Sequence, residues 1–264
     1  MFDALYIAAT GMNAQQQNVD AVANNLANVN TVGFKKSRVS FFDLVARDAS
    51  QTAAAGVDGP LGPLDETQRV GVGVGITSIS KVFDAGDIKK TDSPWDVAIS
   101  GDGFLELVLP DGARAYTRGG TLKVNADGLL ATSSGQALKP NIAIPDNAQS
   151  LVIAPDGKVT VQVPNQAAPI ELGQLEVVRF ANPAGLTAEG DNVYRSSAAS
   201  GEPIMGRPGD EGLGSVRQGS LEGSNVKMVE EMVNLMVAQR AYEASVKVIQ
   251  ASDEMLGMVN SLRR

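Results

Sequence analysis

Two segments at the ends of the chain carry apolar residues at alternating spacings of three and four, and they limit what such a chain can fold into. In the first, Leu5, Ala8, Met12, Gln15, Val19, Val22, Leu26 and Val29 follow this rhythm. In the last, Met228, Met232, Leu235, Gln239, Tyr242, Val246, Ile249, Asp253 and Leu256 do the same. A mean spacing of about 3.5 residues lays one apolar seam along one side of a helix, the pattern of a coiled coil. A chain with a seam at each end pairs those ends with each other or with neighbours. Assembly is the expectation, not catalysis.

The first segment reads as one helix over 3–29, with Asp3 as N-cap and Gly33 as a stop beyond it. Its off-seam face carries Ala9, Gly11, Ala14, Ala21, Ala23 and Ala27, where a solvated amphipathic helix would carry Lys and Glu. Small, uncharged residues allow several helices to approach closely; the plainer alternative is one helix packed on a globular core. The last helix begins near Ser224 and Asn225, with Glu230 and Glu231 in its first turn, where carboxylates suit the positive end of the helix dipole. It runs to Leu262 without proline, a length of roughly 55 Å if unbroken. The polar seam residues Gln15, Gln239 and Asp253 fix register or face a wet lumen, unless the seam drifts locally.

Between the helices the pattern changes twice. Residues 35–70 read as an extended or hairpin connecting segment. Its apolar patch SFFDLV (40–45) supplies Phe41, Phe42 and Leu44 as assembly residues, and Gly and Pro punctuate the rest. Residues 71–218 read as β, from short alternating runs such as FLELVL and KVTVQV. Asp111-Gly112, Asp127-Gly128 and Asp156-Gly157 each lie between two such runs, and Asp-Gly suits the positive φ of tight hairpin turns. An antiparallel sheet follows, with 182–217 mostly loop. The expected fold is therefore α+β, with long terminal helices in a coiled-coil assembly domain (1–34 plus 219–264) and a central β-rich domain (71–218).

Composition narrows the function. A net charge of −8 disfavours nucleic acid as partner, since phosphate rewards an excess of Lys and Arg. Lys35, Lys36 and Arg38 form the single compact basic cluster, read as a solvated face or a contact to an acidic neighbour. The chain has no Cys and no His, which removes disulfides, thiolate metal sites and the common nucleophile–base pairs. It reads as redox-silent and without a cofactor. Nothing resembles a secretory signal or a membrane span, so the expectation is a soluble chain outside the general secretory route. Gly71, Gly73 and Gly75 lack the third glycine and the lysine of nucleotide loops and read as strand glycines at a bulge or crowded contact. No carboxylate sits in a recognisable catalytic motif, so enzyme chemistry on the β domain is unsupported.

The stretch ANNLANVNTVGFK (23–35) resembles the N-terminal signature of the bacterial flagellar rod and hook proteins. QRAYE (239–243), preceded by SNV (224–226) and followed by DEML (253–256), resembles their C-terminal signature. SGDGF (100–104) and AYTR (115–118) resemble their β domain. The opening TGMNAQQ (10–16) and the length of the chain are most similar to the distal-rod members, with proximal rod and hook subunits as near alternatives. Three places depart from the pattern: Ala46-Arg47, Leu105 and Gly119-Gly120.

The resemblance implies a structural subunit of a hollow helical shaft that transmits torque and passes exported subunits. It implies export through the flagellar type III apparatus without a cleaved signal, and a place in the periplasm-spanning basal body. The implied partners are further copies of the chain, neighbouring rod and hook subunits and a surrounding bushing ring, with no nucleic acid and no membrane insertion. To the seam residues Leu5, Met12, Val19, Val22 and Leu26 it adds Asn24, Asn25, Asn28, Gly33 and Phe34 for assembly. To Met232, Leu235, Gln239, Tyr242, Val246, Ile249 and Leu256 it adds Arg240. A non-polymeric coiled-coil adaptor is the rival from another class.

Overall fold

A computed structural model describes residues 2–46, 70–164, 168–210 and 212–261. The chain opens with helix α1 (Phe2–Ala27) and closes with α2 (Met228–Ser261). Asp3 lies in the first turn of α1 rather than ahead of it. The helix ends at Ala27 and unwinds through turns that leave Val29 outside the seam, before Gly33 takes a φ of 68°. Strand β1 (Ser37–Ala46) pairs with β2 (Val70–Lys81) in a two-stranded ribbon.

Short strands follow: β3 (Ile88–Lys90), β4 (Val97–Ser100), β5 (Phe104–Val108), β6 (Arg114–Thr117), β7 (Leu122–Val124), β8 (Leu130–Thr132) and β9 (Ala137–Leu138). After them come β10 (Ser150–Ile153), β11 (Lys158–Gln162), β12 (Ile170–Gln174) and β13 (Val177–Arg179). The last are β14 (Thr187–Gly190), β15 (Val193–Arg195), β16 (Ile204–Gly206), β17 (Ser215–Gln218) and β18 (Ser220–Glu222). A nine-stranded sheet has the path β14-β15-β6-β5-β9-β8-β7, with β13 joining β5 to β16. β10, β11 and β12 form a second sheet, and β4 and β3 pair with β17 and β18. Each pairing with an assigned register is antiparallel. The three Asp-Gly pairs join β5 to β6, β7 to β8 and β10 to β11, and their glycines have φ of 79°, 73° and 83°.

The loop expected over 182–217 contains four of these strands. Each has only three or four residues, and β14 is exposed throughout, so no alternation of apolar and polar residues marks it. The core of the sheets is aliphatic, built on Leu105, Leu107, Leu130, Leu138, Val159, Val161, Leu175 and Val177. An aromatic cluster of Phe83, Phe104, Tyr116, Phe180 and Tyr194 packs edge to face beside it.

By contact the chain forms two compact units, one from Met1–Asn24, Ser37–Ser80 and Val229–Arg264, the other from Asn25–Lys36 and Lys81–Met228. The ribbon thus groups with the helices, and the β2 sequence read above as part of the β-rich domain belongs with them. The end of the N-terminal signature groups with the β-rich unit.

Candidate assembly surfaces

In the helical unit, α2 buries one stripe. Ala238 and Ser252 are 1% and 3% exposed, Glu231 is buried, and Ser245, in the same row at intervals of seven, is half-buried. Leu235, Ile249 and Leu256 are half-buried in the adjoining row, with Tyr242 at its more open point. One row of the sequence seam is thus half-buried, and in the other the more buried positions fall one residue earlier at Glu231, Ala238 and Ser252. Met232 and Gln239 are exposed while Glu231 and Ala238 just before them are buried, and Ser245 and Val246 are both half-buried. The reason is packing distance. A Cβ added to Gly11 of α1 would stand 3.6 Å from Ser245 Oγ, an approach that Met or Val at that point would block.

The displacement leaves a second apolar face on α2. Val229, Met232, Val233, Met236 and Val237 are exposed, Val237 by 62%, and so are Val248, Met255, Met258 and Val259 further along. Arg240 is exposed beside them. Among the described residues no element covers this face, and exposed apolar faces of this length are characteristic of protein contact surfaces. On α1, Ala8, Ala14, Val22 and Asn25 are buried, and Leu5, Met12, Val19, Leu26 and Asn28 are half-buried. Tyr6, Ile7 and Asn24 face outward. An open, largely apolar cavity of about 640 Å³ lies where Ala4, Ile7, Ala8 and Gly11 of α1 meet Gly73 and Val74 of β2 and Ala244, Ser245 and Val248 of α2.

The ribbon adds its own apolar surface. Phe41, Phe42 and Val45 on β1 and Ile79 on β2 are exposed, and Leu44 is half-buried. Two of the three glycines of β2, Gly73 and Gly75, are crowded-contact glycines, while Gly71 stands in open space. A side chain at Gly73 would overlap Thr10 of α1, and one at Gly75 would overlap the Phe42 ring. The rest of the connecting segment, 47–69, lies outside the described residues.

In the β-rich unit, the end of the N-terminal signature is an internal crossing rather than a surface. The Gly33 N–H donates to the Glu222 carbonyl at 2.8 Å, and the Asn225 N–H to the Phe34 carbonyl at 3.3 Å. Asn225 Oδ1 accepts from the Lys36 N–H at 2.8 Å, and its Nδ2 donates to the Val82 carbonyl at 2.8 Å. Phe34 is buried under Lys81, whose Nζ lies 4.3 Å from the ring centroid. Gly33 and Phe34 are therefore enclosed by their own chain.

Lys35 corrects the reading of the basic cluster as a solvated face. It is 0% exposed, and its Nζ lies 2.7 Å from Glu222 Oε1 while donating to the Asp84 carbonyl at 2.6 Å. Arg118 Nε donates to Glu222 Oε2 at 2.7 Å, and its other nitrogens donate to the carbonyls of Gly101 and Gly103 at 2.8 and 3.1 Å. The Gly86 N–H completes the set on Glu222 Oε1 at 2.8 Å. Burial opposes ionisation of Glu222, but Arg118, Lys35 and the Gly86 N–H together hold its carboxyl below the ordinary value. Burial, and then Arg118, pull the Lys35 ammonium below its ordinary value, with Glu222 acting the other way. Its two short contacts to oxygen are those of a charged ammonium.

The sequence shows that these three charges exist but not that they meet, because 187 residues separate Lys35 from Glu222. The available signal was a lone Glu between the apolar Leu221 and the loop glycine Gly223. Glu106, buried inside β5 beside Lys139 and Arg114, gave the same kind of signal.

Three families match along the chain. The flagella basal body rod protein family matches 5–35, the flagellar hook protein FlgE/F/G D1 domain 98–161, and the flagellar basal body rod FlgEFG protein C-terminal family 217–262. The flagellar basal-body rod protein FlgG of Borreliella burgdorferi is 48% identical over the whole of both chains.

The chain belongs to the flagellar basal-body rod protein family.

Proteins of the same description from Buchnera aphidicola subsp. Schizaphis graminum and Bacillus subtilis are 43% and 39% identical, covering 99% and 100% of this chain and 100% of each relative. The rod-family matches at the two ends take in most of α1 with the Gly33–Lys35 crossing, and the end of β17, β18 and α2. The part of a rod protein matched at its ends thus includes both the apolar helix faces and the crossing that carries Lys35 and Glu222. Among the described residues, no group of three or more Asp, Glu, His or Cys could hold a metal ion, and no helix is long and apolar enough to cross a membrane.

Proposed function

We propose that this chain is a structural subunit of the flagellar distal rod, which polymerises into a hollow helical shaft that transmits torque and passes exported subunits. The observation that carries the reading is the second apolar face of α2, running from Val229 to Val259 and exposed among the described residues. The full-length likeness to flagellar basal-body rod proteins says what kind of assembly would cover it. Contacts that join one patch to a different patch on the next copy grow open helices rather than closed dimers.

In this reading, 1–24 with 229–264 carries the assembly helices, which form the coiled-coil tube. The β1–β2 ribbon groups with these helices, its Phe41, Phe42 and Leu44 meeting a neighbouring subunit, and 25–36 with 81–228 is the β-rich domain. Neighbouring rod and hook subunits would cap the two ends of the shaft, a bushing ring would surround it, and the subunit would reach the periplasm through the type III apparatus without a cleaved signal. The family is a structural one, and no catalytic role accompanies it.

Sedimentation and electron microscopy of the purified full chain test the proposal. Concentration-dependent tubular polymers are expected. A species that stops at monomer or dimer at every concentration would instead favour the coiled-coil adaptor.

A further inference from the structure

The eight methionines of the chain are not spread evenly. Met228, Met232, Met236, Met255 and Met258 all lie on α2, and all five are exposed, between 45% and 59%. The stripe that α2 buries, from Glu231 through Ala238 and Ser245 to Ser252, contains none. Thioethers are thus confined to the uncovered face of the helix. The chain has no Cys that could react first. Absence of Cys pointed to a redox-silent protein, but thioethers in water are open to two-electron oxidation by peroxides.

We propose that the uncovered face of α2 is an oxidation-sensitive assembly switch, in which hydroperoxide converts its methionines to sulfoxides and blocks pairing of the free subunit with the next copy. The inference rests on the assembly reading above. In the step itself, a sulfur lone pair attacks one peroxide oxygen, the S–O bond forms and the O–O bond breaks. The departing hydroxide takes a proton and leaves as water. Sulfur loses two electrons and the peroxide gains them, so each equivalent of hydrogen peroxide yields one sulfoxide and one water.

The product is polar and chiral where the thioether was apolar and pliable. A sulfoxide at Met232 or Met236 stays hydrated on a free subunit at little cost. Burying it against a neighbour desolvates an acceptor with no matching donor. Oxidation therefore acts on association and leaves the folded chain nearly untouched, since none of these side chains belongs to its buried stripe. Once the face is covered by a neighbour, the same sulfurs are shielded. The switch acts on subunits before incorporation, and assembled material is resistant.

The test uses the purified full chain and hydrogen peroxide. Free subunit is oxidised, the modified residues are located by peptide mass spectrometry, and the critical concentration for polymer is measured by sedimentation. Expected are sulfoxides at the five α2 positions, an unchanged thermal melt and a critical concentration raised about tenfold or more. Treatment with methionine sulfoxide reductases should restore the original value. A variant carrying leucine at all five positions should polymerise before and after peroxide. Met205→Leu, which removes an exposed thioether of the β-rich unit, should leave the wild-type sensitivity unchanged. Oxidised subunits that polymerise at the untreated concentration overturn the switch while leaving the assembly reading intact. An untreated chain that never polymerises overturns that reading, and the switch falls with it.

Discussion

Lys35 Nζ and Glu222 Oε1 stand 2.7 Å apart with both side chains shut away from solvent, although 187 residues of sequence lie between them. The pair fastens the stretch that follows α1 to the stretch that precedes α2. Arg118 binds the second carboxylate oxygen of Glu222 and, through the carbonyls of Gly101 and Gly103, the turn before β5. Removing Glu222 leaves the buried Lys35 and Arg118 cations without their shared anion, which is far more costly than the cluster is worth against an apolar replacement. Glu222→Met alone is expected to destabilise the chain by about 3–5 kcal/mol. Denaturant unfolding checks this, and a loss of under about 1 kcal/mol, the scale of an exposed pair, would show that the pair is not shielded.

The same group sets an acid limit. Glu222 is held below its ordinary carboxyl value of 4.5, so the folded state binds its proton less readily than the unfolded chain. Its contribution is fully present above pH 4.5 and is lost as the pH falls through the depressed value. The melting temperature of the wild type should be level between about pH 7 and pH 5 and then drop. Glu222→Gln should begin lower and show a weaker acid drop. If the variant and the wild type fall in parallel below pH 4.5, another carboxylate controls the limit.

Backbone crowding gives a third expectation. A side chain at Gly120 would overlap the Val97 carbonyl oxygen, while one at Gly119 would meet only Thr117 Oγ1 at 3.3 Å. Gly120→Ala should cost about 3 kcal/mol, since backbone and not a flexible side chain must move. Gly119→Ala should cost under about 1 kcal/mol. Equal effects, measured by thermal melts of the two variants, would contradict this geometry.

The two faces of α2 should separate stability from assembly. Ala238→Leu enlarges a residue that is 1% exposed and should lower the melting temperature of the free subunit, by an amount equivalent to about 1–3 kcal/mol. Val237→Asp, one residue along but 62% exposed, should leave the melt within about 0.5 kcal/mol of wild type and abolish polymer. Sedimentation beside calorimetry reads both effects. Polymer formation by Val237→Asp would remove the exposed face from the assembly account.

Much of this was legible in the sequence, for physical reasons that differ between elements. Both helices announce themselves because an apolar residue every three or four positions has no other regular structure to serve, and the Asp-Gly hairpins because few residues take positive φ cheaply. The row Leu235, Tyr242, Ile249 and Leu256 was likewise readable. Its companion was not, because Ser245 stands close to Gly11 of α1 and hydrophobicity alone never points to alanine or serine over a neighbouring valine. Strands such as Thr187–Gly190 were missed because, at four exposed residues, the pattern is shorter than the signal needs. The Lys35–Glu222–Arg118 cluster was hidden because buried charge resembles surface charge until tertiary contacts are known.

The most direct test of the central claim is an electron-microscopic structure of the polymer formed by the full chain. It should show Met232, Val233, Met236 and Val237 packed against a neighbouring copy, with Ser245 still turned toward Gly11 of α1 in its own chain and Ala238 and Ser252 still buried. A polymer in which the first four residues face solvent, or in which α1 and α2 of one subunit have parted, would contradict the account.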